Sequence, residues 1–253
     1  MKITYIPILN DNYVWVIINN NKFCIIVDPG DYIPVLNFIK KHNLYPIAIL
    51  VTHRHQDHIG GIKKLLQSYP KLYIYGPKET KNFGINKICK ENDYISILGY
   101  KFKIIFTPGH TSGHVSYYIK PHLFCGDVLF SGGCGKIKNG MIIKMYTSLK
   151  KISRLPQNTL IYPSHEYTLN NLKFSKSICS ENQEISNFLK KTKKLYLKNQ
   201  CTLPSNLEIE KKINPFLNLN KSFVQKSTKI HKDLMLELNI LSTLRKMKER
   251  YKS

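Results

Sequence analysis

Between Val51 and His58 the chain reads Val51-Thr52-His53-Arg54-His55-Gln56-Asp57-His58, with three imidazoles and a carboxylate in its last six residues. Folding alone does not ask for this. Histidine and aspartate are weak formers of helix and strand, and crowded imidazoles repel one another once protonated. A transition-metal site does ask for it, since neutral imidazole and carboxylate are its usual nitrogen and oxygen ligands. The preceding run Pro46–Val51 is apolar and reads as a buried strand. Gly60-Gly61 follows, then Ile62-Lys63-Lys64-Leu65-Leu66 at helical spacing. The ligands therefore sit where a strand ends and a helix begins. Alternation along an extended loop sends His53 and His55 one way, while Asp57 and His58 can reach another centre.

Three further segments have the same form, a strand and then a possible ligand: Pro108-Gly109-His110-Thr111-Ser112-Gly113-His114 after Thr107, Gly126-Asp127 after Cys125, and Pro163-Ser164-His165-Glu166 after Tyr162. A single histidine of this kind is more often a hydrogen-bonded structural residue. Four such segments together favour a site built on loops after strands.

The order of elements frames them. Strand-like runs at Lys2–Pro7, Tyr13–Ile18 and Phe23–Val27 precede a helix over Tyr32–His42. Strands are predicted at Leu72–Tyr75, Ile95–Leu98, Lys101–Thr107, Val115–Ile119, His122–Cys125 and Thr159–Tyr162, with a helix over Met141–Leu155. Strands then stop. From Asn170 the chain is lysine-rich and helical in pattern, apart from a loop around Pro204 and Pro215. It ends in a helix over about Lys232–Tyr251, striped by Leu234, Leu238 and Leu241 and by Ile240, Leu244 and Met247. The expectation is a mixed α/β domain over residues 1–168 and an all-α domain over 169–253.

Composition excludes more than it selects. No run approaches the roughly 20 apolar residues of a membrane span, and the chain is strand-like from residue 2, which leaves no room for a leader peptide. Six scattered cysteines without a C-x-x-C pair suit a reducing compartment, so a cytoplasmic location is expected. The formal net charge of +23 comes almost wholly from lysine, spread along the whole chain, and accompanies abundant Asn, Ile and Tyr. With no nucleic-acid motif present, it fits a solvated surface and an acidic small-molecule substrate rather than a nucleic-acid partner.

The pattern T-H-x-H-x-D-H, then G-H-T-x-G-H, C-G-D and H-E-Y, resembles the metallo-β-lactamase superfamily. More narrowly the chain is similar to the glyoxalase II, or hydroxyacylglutathione hydrolase, family. That match rests on Asn12-Tyr13, Gly133-Cys134-Gly135-Lys136, His165-Glu166-Tyr167-Thr168, Asn170-Asn171-Leu172-Lys173-Phe174, Asn214-Pro215-Phe216, Arg245 and Lys248. The resemblance implies an αββα sandwich with an all-α C-terminal domain. It implies two divalent metal ions, zinc first, with iron or manganese also accepted. One ion would be held by His53, His55 and His110, the other by Asp57, His58 and His165, with Asp127 bridging both. A hydroxide on the two metals would cleave the thioester S-D-lactoylglutathione to glutathione and D-lactate, the second step of methylglyoxal detoxification, with Asp57 and Asp127 as the carboxylates at the reacting centre. Lys136, Tyr167, Arg245 and Lys248 would bind the glutathione moiety, and His114, Cys125 and Cys134 would play supporting structural roles. A monomer or weak dimer is expected. The chain departs from the family pattern at Lys138, where a tyrosine is common. Two other functions stay open on the sequence: a single-iron persulfide dioxygenase of the same fold, which uses fewer of these ligands, and a basic nucleic-acid-binding module.

Overall fold

A computed structural model describes residues 1–230 and 236–251 of the chain. Its contacts divide into two compact units, Met1–Phe106 with Thr111–Gly126, and Thr107–His110 with Asp127–Ser253. Lys232 and Leu234, placed in the last predicted helix, lie outside the described residues.

The first unit opens with β1 (Lys2–Ile8), β2 (Asn12–Ile18) and β3 (Phe23–Val27), paired antiparallel in succession. Helix α1 (Tyr32–Lys41) then crosses over to β4 (Tyr45–Leu50), which runs parallel to β3. Helices α2 (Gln56–Ile59) and α3 (Ile62–Ser68) lead to β5 (Tyr73–Gly76) and a short β6 (Lys87–Ile88), completing the order β1-β2-β3-β4-β5-β6. Ile25, Ile26, Ala48, Ile49 and Leu50 are fully buried, as central strands covered on both faces require. Asp31 caps α1 by accepting from the Ile33 amide, Lys40 and Lys41 complement its C-terminal dipole, and Val35 and Ile39 seat it in the core. Each of those two side chains contributes about 1.5–3 kcal/mol on burial. Because β3, β4 and β5 are parallel, their carboxyl ends share one edge, where ligand sites of α/β sheets gather. Asp28, the loop from Val51 and Glu79 all follow that edge.

The rest of the first unit is an antiparallel meander, β7 (Tyr94–Ile97), β8 (Tyr100–Phe106), β9 (Val115–Ile119) and β10 (His122–Gly126). Leu98 and Gly99 turn its first hairpin at positive φ, the geometry of a two-residue primed turn. Tyr117 of β9 is fully buried and donates to the Val51 carbonyl at 2.7 Å, tying the meander to the end of β4.

The second unit holds a small hairpin, β11 (Leu129–Phe130) and β12 (Gly133–Cys134), then α4 (Ile142–Ser153), β13 (Leu160–Pro163), α5 (Thr168–Ile178), α6 (Gln183–Leu197), β14 (Ser205–Asn206), α7 (Leu207–Ile213), α8 (Ser222–Thr228) and α9 (Leu236–Arg250). Asn182 and Asn206 cap α6 and α7 through the Ile185 and Ile209 amides. On α9 the buried stripe is Ile240, Leu241 and Leu244, while Leu238 and Met247 are only partly covered. The segment around Pro204, expected as loop, supplies β14, whose two residues pair with Leu160 and Ile161. Two residues are too few to show a period, so the pairing leaves no trace in the sequence.

Candidate metal centre and substrate cleft

In the first unit the ligand loop leaves the carboxyl end of β4 and is organised by Asp28, the residue after β3. Asp28 is buried and adopts a left-handed φ of 52°. Its Oδ1 accepts from the Thr52 amide at 2.8 Å, and its Oδ2 accepts from Thr52 Oγ1 at 2.7 Å and lies 2.9 Å from His58 Nδ1. An acceptor at Nδ1 holds the ring proton there and leaves Nε2 as a lone-pair donor. The same relay serves His53. Thr52 Oγ1 spends its proton on Asp28 and accepts from His53 Nδ1 at 3.0 Å, so His53 also presents Nε2. That nitrogen lies 3.0 Å from His55 Nδ1. Asp57 is held by Asn12, whose amide donates to Oδ2 at 3.0 Å, and the same oxygen lies 3.3 Å from His58 Nε2. With the His58 proton on Nδ1, two lone pairs face each other there, which suits a cation between them.

The supporting residues of this unit are close-packed. His114 is fully buried and stacks on His53 with ring centroids 5.1 Å apart. Gly126, at φ 49°, lies so near that an added Cβ would stand 2.5 Å from Thr52 Oγ1 and 2.7 Å from His114 Nε2. Glu79 pins the start of the segment Thr111–His114, accepting from Thr111 Oγ1 and from the Gly113 amide at 2.8 Å.

The second unit presents His110, Asp127 and His165 around one carboxylate oxygen. Asp127 Oδ2 lies 3.5 Å from His110 Nε2 and 3.4 Å from His165 Nε2. His110 Nδ1 donates to the Lys136 carbonyl at 3.0 Å, so in the neutral ring Nε2 again turns a lone pair towards a carboxylate oxygen. These separations exceed an ordinary hydrogen bond; they fit ligand atoms arranged about cations. His165 follows β13 and stacks almost flat on Tyr167, centroids 4.7 Å apart at 11°. All seven side chains, His53, His55, Asp57, His58, His110, Asp127 and His165, fall in groups that could hold a metal ion. Among the described residues none of these groups contains a cysteine; burial pushes the Cys134 thiol up to about 11 against the opposing pull of Arg245.

The second unit also contains a basic cleft of about 440 Å³, whose lining includes Lys136, Lys138, Ser242, Arg245 and Lys246. Arg245 Nη1 donates to the Cys134 carbonyl at 2.9 Å, which fixes the guanidinium against the β12 backbone. Lys248, one turn further along α9, donates to Asn170 O and Oδ1 at 3.2 and 2.9 Å and lies over the Phe174 and Tyr251 rings. Burial, and then the neighbouring Arg245 charge, push its amine down to about 8. Lys136, Lys138 and Arg245 thus share a cleft, while Tyr167 lies against His165 and Lys248 against Asn170.

Three organising carboxylates escaped the sequence reading. Asp28 had a signal: it stands after an apolar strand, as Asp127 does. Glu79 and Glu210 had none, since Glu79 acts on Thr111 and Gly113 and Glu210 on Ser131 and Gly132, all distant in sequence.

Residues 166–251 match the family Hydroxyacylglutathione hydrolase C-terminus, and residues 9–98 and 90–165 match the Metallo-beta-lactamase superfamily. A hydroxyacylglutathione hydrolase of Buchnera aphidicola subsp. Baizongia pistaciae is 54% identical over 250 residues, covering 99% of this chain and 100% of that protein. Among solved structures, the B3 metallo-beta-lactamase BLEG-1 superposes with a TM-score of 0.66 at 23% identity, covering 85% of this chain and 99% of that one. TTHA1623, crystallised in a di-iron-bound form, gives 0.59 at 22% identity, covering 86% and 100%. The fold is therefore the α/β metallo-β-lactamase fold with a helical C-terminal region.

Proposed function

This chain belongs to the hydroxyacylglutathione hydrolase family within the metallo-β-lactamase superfamily, and from that premise we infer that it hydrolyses S-D-lactoylglutathione to glutathione and D-lactate. The observation that carries the site assignment is the set of lone-pair nitrogens facing carboxylate oxygens: His58 on Asp57, and His110 on Asp127. With these rings neutral, such an arrangement repels itself unless cations lie within it.

His53, His55 and His110 would hold one divalent ion and Asp57, His58 and His165 a second, with Asp127 shared. Nitrogen and oxygen donors of this kind suit zinc, and also iron or manganese. When bound, such a pair supplies Lewis acidity towards a water and a carbonyl oxygen. The chain's own residues do the rest. Asp28 and Thr52 hold the His58 and His53 tautomers, Asn12 aims Asp57, and the Lys136 carbonyl aims His110. The substrate is anionic, and Lys136 and Arg245 offer charge-assisted donors in one cleft. Lys248 and Tyr167 complete the grip on glutathione. The departing thiolate needs little acid help, because thiols ionise near neutral pH.

The assignment extends to the cell. Among the described residues no disulfide joins the six cysteines, which suits a reducing cytoplasm, and no helix is long and apolar enough to cross a membrane. We assign a monomer or weak dimer. The test is steady-state release of D-lactate and glutathione from S-D-lactoylglutathione, beside a lactoyl thioester without the glycine carboxylate. The reading expects a lower KM for the glutathione ester; equal KM values would remove the glutathione assignment, and no release from either would remove the hydrolase.

A further inference from the structure

The hairpin that separates Asp127 from Lys136 is held almost entirely by side chains from the helices of its unit. Asn171 donates to the Ser131 carbonyl at 3.1 Å, Ser175 to the Gly132 carbonyl at 2.9 Å, and Arg245 to the Cys134 carbonyl at 2.9 Å. Asn214 donates one amide nitrogen to the Phe130 and Gly133 carbonyls at 3.1 and 3.0 Å. At the centre is Glu210 of α7, fully buried. Its Oε1 accepts from Ser131 Oγ at 2.8 Å and from Ser205 Oγ. Its Oε2 accepts from the Gly132 amide at 2.9 Å and from Asn214 Nδ2 at 3.1 Å.

A buried carboxylate is costly, and here every partner donates to it, so its hydrogen bonds offset that cost only while the geometry holds. Burial raises the Glu210 carboxyl above its ordinary value, and these donors offset only part of that rise. What the clamp fixes lies at both ends of the hairpin. The backbone closes so tightly that a Cβ on Gly135 would stand 1.8 Å from the Asp127 carbonyl. The next residue, Lys136, lines the basic cleft and accepts from His110 through its carbonyl.

We propose that Glu210 is a positioning residue for hydrolysis: by locking the hairpin it sets Asp127, His110 and Lys136 at once, so that the ligand side and the substrate side keep one register. This rests on the hydrolase reading above. Displacements of the order of 1 Å at a reacting centre cost roughly a hundredfold in rate, so a loosened clamp should be visible in turnover.

The hydrogen-bond pattern supplies the test. In Glu210→Gln the amide oxygen can keep the Gly132 and Asn214 donors while the amide NH₂ donates to Ser131 and Ser205, whose hydroxyls reverse. The charge goes and the clamp stays. In Glu210→Asp the charge stays and the oxygens retreat by one methylene. We expect Glu210→Gln to keep kcat and KM within about twofold. Glu210→Asp should lose at least about tenfold in kcat per bound metal and raise KM for S-D-lactoylglutathione. A purely structural role would lower the melting temperature of both variants and leave kcat per metal and KM alone; that result overturns the proposal. So does Glu210→Gln falling as far as Glu210→Asp, since charge and not placement would then be at stake. If Glu210→Asp does not fold, Asn214→Ser withdraws the other anchor of the hairpin, and the same rise in KM with loss of kcat is expected; wild-type values there overturn the proposal as well. The wild type in the same assay separates the two readings: no turnover by the wild type removes the hydrolase assignment, whereas an active wild type with unaffected variants removes only this one.

Discussion

The loop Thr52–His58 and the hairpin Val128–Gly135 each set functional side chains in place, and they do so by opposite means. The loop carries its candidate ligands within itself and is held from nearby, by Asp28, 24 and 30 residues before its partners Thr52 and His58. The hairpin carries no candidate ligand, yet it fixes Asp127 and Lys136 at its ends, and it is held by side chains 40 to 111 residues further along the chain. The strand-edge loop is thus held by one buried acid and the Asn12 amide, whereas the short hairpin with two-residue strands has several helices behind it. This gives the C-terminal helices a second task besides lining the basic cleft.

The largest loss is expected at Asp127. Asp127→Ala should lower turnover on the order of 10³-fold or more, a loss typical of a group acting at the reacting centre, with metal falling below two ions per chain by elemental analysis. Turnover near wild type with full metal would show that the hairpin aims nothing of consequence. Asp57→Ala or His165→Ala should likewise cost far more than His114→Ala, because His114 packs on His53 and falls, among the described residues, in none of the groups that could hold a metal ion.

On the loop side, Asp28→Asn replaces an acceptor of the His58 proton with an amide. Loss of a carboxylate behind a metal-binding histidine typically costs 10–100-fold in metal affinity, to be read by competition with a chromophoric chelator. Unchanged affinity would mean that the loop holds its own shape.

On the helical side, Arg245→Met should raise KM for S-D-lactoylglutathione by about ten- to a hundredfold, the worth of one charge-assisted contact of about 1.5–3 kcal/mol. The thioester without the glycine carboxylate should be much less affected. High salt should move the wild type towards the variant. A KM that stays put would detach the helical region from substrate binding and leave it only the clamp.

How far these features were legible in the sequence follows from the same contrast. The candidate ligand loop stood out in the sequence, because its residues are contiguous and no other use of three histidines and an aspartate competes, whereas Asp28 behind it did not. The parallel core was legible from continuous apolar strands. The clamp was not: Asn171, Ser175, Glu210 and Asn214 sit among ordinary polar helix residues, and nothing in their spacing points back to residues 128–135. Asn214 was singled out only because Asn214-Pro215-Phe216 matches a family segment; the structure gives it a task, donating to the Phe130 and Gly133 carbonyls. Arg245 and Lys248 share a helix face by spacing, yet only their contacts separate a guanidinium in the cleft from an amine turned to Asn170.

The smallest expected effect concerns pH. With its amine at about 8, Lys248 loses its charge as pH rises through that value. If it helps bind the substrate carboxylate, kcat/KM should fall by a few-fold above about pH 8, and Lys248→Met should flatten that limb. Stability moves the other way. Between about 8 and the ordinary lysine value the unfolded chain binds more protons than the folded one, so this residue makes the fold more stable as pH rises. A denaturant titration at two pH values in that window checks the sign.

The most direct test of the central claim, that the two ligand sets serve one two-metal hydrolase, is a metal titration of the stripped protein followed by turnover of S-D-lactoylglutathione at each step. Activity should climb to a plateau at two ions per chain. A plateau reached at one ion, with the second adding nothing, would contradict it.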